Sequence, residues 1–192
     1  KLSLTLPTIT TTVNFLLSKG LVKEVENPNA SKKTLGRKAS LIDISDDVGY
    51  FIGVEMRGAF RRACITDYRG KTIKTMSDDT AYHDYDEAIT ETCELVKKLI
   101  RSSTIPRSKI SGIGLCLPGL VDRNTGVLSV HPGYGWENKN VSSDVSRLLN
   151  YNGPVCIENN ACARAYGAYL FNHDVMDNYQ SFAYFYVYNA LT

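Results

Sequence analysis

Between Pro7 and Ser18, Ile9, Val13, Leu16 and Leu17 recur at the spacing of one helical face, and the opposite face presents Thr8, Thr10, Thr11, Thr12 and Asn14. Short hydroxyl and amide side chains with no acid among them can approach phosphates and base edges closely. Downstream, Gly36-Arg37-Lys38 places two cations in a turn-rich stretch. Cations so placed neutralise phosphates or reach into a minor groove. The chemistry on offer is contact with nucleic acid, through Thr8, Thr10, Thr11 and Asn14 on the helix and Arg37 and Lys38 beyond it. A polar-faced packing helix followed by a solvated hairpin would use the same residue types, and spacing alone leaves both readings open.

Charge is distributed in the same sense. Residues 1–45 hold seven basic residues (Lys1, Lys19, Lys23, Lys32, Lys33, Arg37, Lys38) against three acidic ones (Glu24, Glu26, Asp43), while the whole chain carries only +2. A basic amino-terminal module on a mildly acidic body is the asymmetry of a small nucleic-acid-binding head joined to something else. At 192 residues, 43% hydrophobic and 22% charged, the composition excludes collagen-like and wholly disordered chains and allows one domain with a small appendage. No run approaches 18 apolar residues and no signal-peptide pattern opens the sequence. Membrane spanning and export are therefore not expected, and the protein is expected in the cytoplasm.

The five cysteines (Cys64, Cys93, Cys116, Cys156, Cys162) are odd in number and form no C-x-x-C pair, which fits reduced, buried thiols rather than disulfides or a closed zinc site. His131 and His173 are isolated in loops and are expected to be surface residues rather than metal ligands.

The elements that must position these groups divide at about residue 45. In residues 1–45, a helix from Pro7 to Ser18, stopped by Gly20, is followed by strands Leu21–Val25 and Ala39–Ile44 flanking the basic hairpin. Helix, strand, basic hairpin, strand is the back half of a winged helix-turn-helix. A supporting helix must precede a recognition helix, and Lys1 to Leu6 is too short to be one. Either the sequence starts inside the motif or the helix is not a recognition helix.

In residues 46–192, strands Tyr50–Glu55, Arg61–Asp67 and Lys71–Met76 form a meander. They are followed by a helix from Asp84 to Ser103, a buried strand Ile110–Cys116 entering Leu117-Pro118-Gly119, a strand Val155–Glu158, a helix Asn160–Phe171 and a last strand Ser181–Tyr188. Meandering strands followed by alternating helices and strands indicate an α/β layered sheet.

Taken in order, several segments resemble the repressor, open reading frame and kinase (ROK) family, in its transcriptional regulator branch. They are Gly36 to Lys38, Tyr50-Phe51-Ile52-Gly53-Val54, Leu117-Pro118-Gly119-Leu120-Val121-Asp122 with Thr125-Gly126-Val127, Gly135-Trp136-Glu137-Asn138, and Ile157-Glu158-Asn159-Asn160-Ala161. The likeness covers nearly the whole chain. It implies an actin-like ATPase (ribonuclease H-like) fold, preceded here by the partial winged helix-turn-helix, with operator DNA and a sugar or sugar phosphate as partners and a homodimer or higher homo-oligomer as the assembly.

Three departures from the family kinases bear on catalysis. The phosphate-binding turn after the first strand reads Glu55-Met56-Arg57-Gly58-Ala59, with bulk and charge where small residues let a backbone close on phosphates, although Arg57 could itself hold a phosphate. Asn160 stands where those kinases carry the aspartate that takes the sugar hydroxyl's proton, so general-base help, about 10²–10⁴-fold, should be lost. The glycine-rich second phosphate loop is not found in Asn189-Ala190-Leu191-Thr192, and the family's zinc element would lie beyond Thr192. No cofactor is expected within this chain, and structural zinc only in a longer protein, of which this chain is expected to be the middle.

The sugar-contacting candidates are Pro118, Gly119, Gly133, Glu158, Asn159 and Asn160, with Trp136 either packing on a sugar's apolar face or anchoring the fold. The reading is a sugar-responsive regulator, expected to be a repressor, that binds its effector without phosphorylating it. The rival is a ROK sugar kinase carrying out ATP-dependent hexose phosphorylation. A scaffold binding neither DNA nor sugar is a third reading.

Overall fold

The computed structural model describes residues 5–26, 41–46, 48–57 and 60–186, with the side chain of His173 excepted. The chain divides into two compact units, residues 1–49 and 50–192.

In the first unit, helix α1 (Leu6–Ser18) begins at Thr5, whose hydroxyl oxygen accepts the Thr8 N–H, and Pro7 lies in its first turn. The helix ends at Gly20, which takes the left-handed conformation (φ 66°). The Gly20 N–H reaches the Leu17 carbonyl at 2.9 Å and the Leu21 N–H the Leu16 carbonyl at 3.0 Å, the paired bonds that close a glycine-capped helix. Strands β1 (Val22–Val25) and β2 (Leu41–Ile44) pair antiparallel, Val22 opposite Ile44. Lys23 pairs with Asp46. No residue of α1 is buried, and Leu6, Ile9 and Phe15 stand exposed. The expected hairpin at residues 27–40, with Arg37 and Lys38, lies outside the described residues.

The second unit is built on a five-stranded sheet of order β10-β6-β3-β4-β5. Strands β3 (Tyr50–Met56), β4 (Arg61–Asp67) and β5 (Thr72–Asp78) form the expected meander. Strands β6 (Ile110–Leu117) and β10 (Val155–Asn159) run parallel to β3. Alternation along β3 buries Ile52, Val54 and Met56 on one face. There they meet α2 (Tyr85–Arg101) through Ala88, Ile89, Cys93, Val96 and Leu99. Asp84 caps α2 by accepting the Glu87 N–H at 3.0 Å, Asp86 and Glu87 fill its first turn, and Lys98 and Arg101 its last, matching the helix dipole at both ends.

Between β6 and β10 the chain inserts elements not expected from the sequence: a three-stranded sheet β7 (Leu120–Asp122), β8 (Val127–His131), β9 (Trp136–Lys139), and helix α3 (Val141–Leu149). Val141, Val145 and Leu149 recur every four residues after the capping Asn140 and are the buried face of α3. Helix α4 (Asn160–Phe171) starts directly at the end of β10, and a short turn of helix, α5 (His173–Met176), follows.

The expected strand Ser181–Tyr188 is not formed over its described part. Residues 181–186 are irregular and make no sheet ladder; the sheet ends at β10 and β5. The sheet has edges at β10 and β5, but this run lies against α4 instead of pairing with either. Its rings form the contacts there: Phe182 stacks on Tyr169 at 6.1 Å, and the Tyr186 ring lies 4.8 Å from the Arg164 guanidinium.

Candidate functional site

In an open sheet with parallel strands, ligands enter at the carboxyl ends of those strands. Here β6 ends at Leu117 and β10 at Asn159, and the two residues are partners in the ladder. Pro118, Gly119, Glu158, Asn159 and Asn160 are thereby brought to one end of the sheet. Gly133 lies in the β8–β9 turn beside the His131 ring, and Gly119 packs on the backbone of Val130 and His131.

Asn159 organises this end. Its side-chain oxygen accepts the Ala161 N–H at 2.9 Å and the Cys162 N–H at 3.3 Å, capping α4, and its amide donates to the Gly119 carbonyl at 2.8 Å. An amide can do both because it carries donor and acceptor on one planar group. Its oxygen is occupied within the protein, so its role in the fold is to hold the Pro118-Gly119 turn against α4. Gly119 has φ 115°, and a Cβ there would meet the Val130 carbonyl oxygen at 2.3 Å. Glycine is needed by the chain's own packing. Asn160 accepts the Ala161 N–H at 3.0 Å, and Glu158 accepts the Asn159 N–H at 2.8 Å.

The free oxygen of Glu158 faces an open cleft of about 560 Å³ and stands 3.8 Å from Arg123. Asp122, Ser129, Cys162 and Tyr166 also line it. Asp122 closes the β7–β8 turn by accepting the Asn124 N–H at 2.9 Å. Hydrogen bonds from Thr125 and Asn124 hold its carboxyl below the usual range. None of Arg123, Ser129 and Tyr166 was a sequence candidate. The turn signature Asp122-Arg123-Asn124-Thr125-Gly126 marks a hairpin tip and could have indicated Arg123.

A second polar cluster lies at the end of β3. The Glu55 carboxylate receives Arg57 through Nε at 2.8 Å and Nη2 at 2.6 Å, and Arg164 of α4 through Nη2 at 2.7 Å. Burial alone would raise the Glu55 pKa, but the hydrogen bonds and charges of Arg164 and Arg57 outweigh it and leave it below the ordinary value. Cys116 beside them is pushed up to about 11, by burial first and then by the Glu55 charge, so it stays a neutral thiol. Arg57, read from the sequence as a phosphate-holding candidate, faces an internal carboxylate.

Two further expectations are decided by packing. Trp136 is buried, donates Nε1–H to the His83 carbonyl at 2.7 Å and meets Tyr85 edge-on at 5.5 Å, so it anchors the fold. His131, expected at the surface, is buried at 7% exposure between Tyr134 and Trp136, with ring centroids at 4.8 and 5.1 Å. Burial lowers its pKa, so the ring packs as a neutral aromatic. Among the described residues no group of three His, Cys, Asp or Glu side chains could hold a metal ion, and no helix is long and apolar enough to cross a membrane.

A meander leading into parallel strands, with turns at their carboxyl ends held together by Asn159, is an α/β fold similar to that of sugar kinases and related regulators. The ROK family model matches residues 51–188, and the chain belongs to the ROK family. Among curated proteins, the xylose repressor of Bacillus subtilis (strain 168) is 28% identical over 175 residues, which are 87% of this chain and 43% of that protein. The xylose repressor of Bacillus spizizenii is 29% identical over 168 residues, 85% of this chain and 41% of that protein. This chain thus spans less than half the length of these relatives. Among solved structures, a ROK family transcriptional regulator, a homologue of the E. coli MLC protein, superposes with a TM-score of 0.70 at 19% identity, over 90% of this chain and 42% of that one. A ROK family glucokinase from Streptomyces griseus, in complex with glucose and AMPPNP, gives 0.56 at 24% identity, over 64% and 37%. At such identities the superpositions speak for the fold.

Proposed function

We propose that this chain is part of a sugar-responsive transcriptional repressor that works in the cytoplasm, binding operator DNA through residues 1–45 and a sugar or sugar phosphate through the body, without phosphorylating it. The observation that carries the reading is the end of β10. Asn160 is an amide engaged with the Ala161 N–H, and an amide has no lone pair basic enough near pH 7 to take a hydroxyl proton. Of the two acids near the strand ends, Glu55 is neutralised by two arginines, and Glu158 accepts the Asn159 N–H and stands 3.8 Å from Arg123. The two xylose repressors support the regulator reading and make xylose the first effector to test.

On the DNA side, α1 would be the recognition helix of a winged helix-turn-helix. Thr10 and Thr12 donate their hydroxyl protons back to the Leu6 and Thr8 carbonyls at 3.0 and 2.9 Å, which leaves their oxygens with lone pairs to accept. Acceptors suit the amino groups of cytosine and adenine. Thr11 and Asn14, exposed on the same helix, supply donors for phosphates. Arg37 and Lys38 would add wing contacts. Effector binding changes the population of cleft geometries and hence the spacing of two heads in a homodimer on a palindromic operator. Any structural zinc belongs to the longer protein.

A mobility-shift titration of the intact protein with operator DNA, with and without xylose, tests the reading beside an ATP-dependent phosphorylation assay. The expected result is a sugar-dependent shift of the DNA midpoint and no phosphorylated sugar. Turnover of ATP into a sugar phosphate would replace the regulator with the kinase reading.

A further inference from the structure

At the opposite end of the sheet from the cleft, where the parallel strands begin, a cavity of about 460 Å³ opens between α2 and α3. This volume lies within the range of small-molecule sites. Its floor is Ile52 of β3 with Ile110 and Ile113 of β6, its walls Ile100 of α2 and Leu148 of α3, and Tyr151 closes one side with its hydroxyl on the Ile110 carbonyl at 3.2 Å. Ile52, Ile110 and Ile113 are buried, so the floor is part of the core. β6 spans eight residues, about 25 Å at the rise of a strand, which separates this cavity from the cleft around Glu158.

The mouth carries Lys97, Arg101 and Arg107, and no acid lines the cavity. Two of the three cations are already matched. Lys97 pairs with Glu94 at 2.7 Å. Arg107 caps the carboxyl end of α3, donating to the Leu149 carbonyl and to the Asn150 carbonyl at 2.8 Å, where the helix dipole is negative. Arg101 makes no direct hydrogen bond or ion pair among the described residues; it meets the α2 dipole and the Glu94 charge only through space, one turn along α2 from Lys97 and beside the apolar wall. An apolar cavity with one cation at its mouth that lacks a direct partner is complementary to a monoanion with an apolar body.

We propose that this cavity is a second ligand site, distinct from the cleft at the carboxyl ends of the strands, which takes a small organic monoanion, an aromatic or branched aliphatic carboxylate, with its apolar body on Ile100, Ile110 and Ile113 and its charge on Arg101.

The test uses the intact chain and 8-anilinonaphthalene-1-sulfonate as probe, followed through isoleucine δ1-methyl signals so that binding elsewhere is told apart. The methyls of Ile100, Ile110 and Ile113 are expected to shift with one saturable midpoint, while Ile73, on edge strand β5 outside the cavity, stays in place. Arg101→Glu, an exchange at an exposed position, should weaken the sulfonate about fivefold, the effect of replacing one attraction by one repulsion near the surface. The uncharged N-phenyl-1-naphthylamine should bind with the same midpoint in both proteins. Stationary cavity methyls at saturation would overturn the proposal. So would a sulfonate midpoint that moves less than about threefold in Arg101→Glu, since surface effects alone reach that size.

Discussion

The side-chain amide of Asn159 donates to the carbonyl oxygen of Gly119 at 2.8 Å, joining the cap of α4 to the turn that leaves β6 across 40 residues of sequence. One side chain thus sets the relative position of the two segments that form the carboxyl end of the parallel strands. Removing it should loosen the site and the helix together.

Replacing Asn159 by Ala deletes both the cap and the tether, with an expected loss of about 2–3 kcal/mol in urea unfolding, from about 1 for each interaction plus the stranded carbonyl. Asn159→Asp keeps an acceptor for the Ala161 and Cys162 amides but puts a carboxylate oxygen against the Gly119 carbonyl. It should cost less, about 1–2 kcal/mol. Equal losses in the two variants would mean that the cap carries no weight, and no loss in Asn159→Asp would mean that the tether carries none.

Gly119 and Gly114 offer a matched pair. Gly119→Ala places a Cβ 2.3 Å from the Val130 carbonyl at φ 115°, and should lower stability by more than about 2 kcal/mol. At Gly114 a Cβ meets nothing within 4 Å, and Gly114→Ala should stay within about 0.5 kcal/mol of the parent. Denaturation midpoints of the two variants decide the matter directly.

The Glu55 cluster predicts a pH-dependent contribution. The folded-state pKa of Glu55 lies below its ordinary value of 4.5 despite burial, because Arg164 and Arg57 bind the charged form. Its stabilisation is therefore fully present above pH 4.5 and is lost as pH falls through the depressed folded-state value. Glu55→Gln should be less stable than the parent by about 1–3 kcal/mol at neutral pH. The two unfolding curves should converge on acidification. A difference that persists unchanged to low pH would assign the loss to packing rather than charge.

DNA binding has a salt signature. If Arg37 and Lys38 each neutralise a phosphate, the double substitution Arg37→Ala and Lys38→Ala should reduce the steepness of log K against log salt by about 1.8, at about 0.9 per contact. An unchanged slope in mobility-shift titrations would remove the wing from the interface.

Much of the fold was legible in order. The apolar alternation of Ile52, Val54 and Met56, the one-sided pattern of α2 and the glycine stop after α1 each follow from local periodicity and backbone preference, and each is observed. The inserted sheet β7–β9 was missed because its strands are three to five residues long, too short for alternation to stand out. The aromatic run at 181–186 misled for the opposite reason: the alternation is present, but its rings pack on Tyr169 and Arg164 of α4 rather than along an edge of the sheet.

By itself, the sequence determined which residues could serve chemistry: the acid-free threonine face of α1, the amide at Asn160 in place of a base, and the bulky, charged turn at Glu55 to Arg57. Those are properties of residue type, and type is local. Tertiary structure alone decided which of these groups remain available. The Glu55 carboxylate is held by the neighbouring Arg57 and also by Arg164, 109 residues away, which only folding brings to it. Trp136 anchors the core because the His83 carbonyl awaits its N–H, and the Asn159 oxygen is committed to α4 while its amide holds Gly119. A side chain's hydrogen-bonding capacity is set by its chemistry, but its partners come from distant segments that only folding brings within reach.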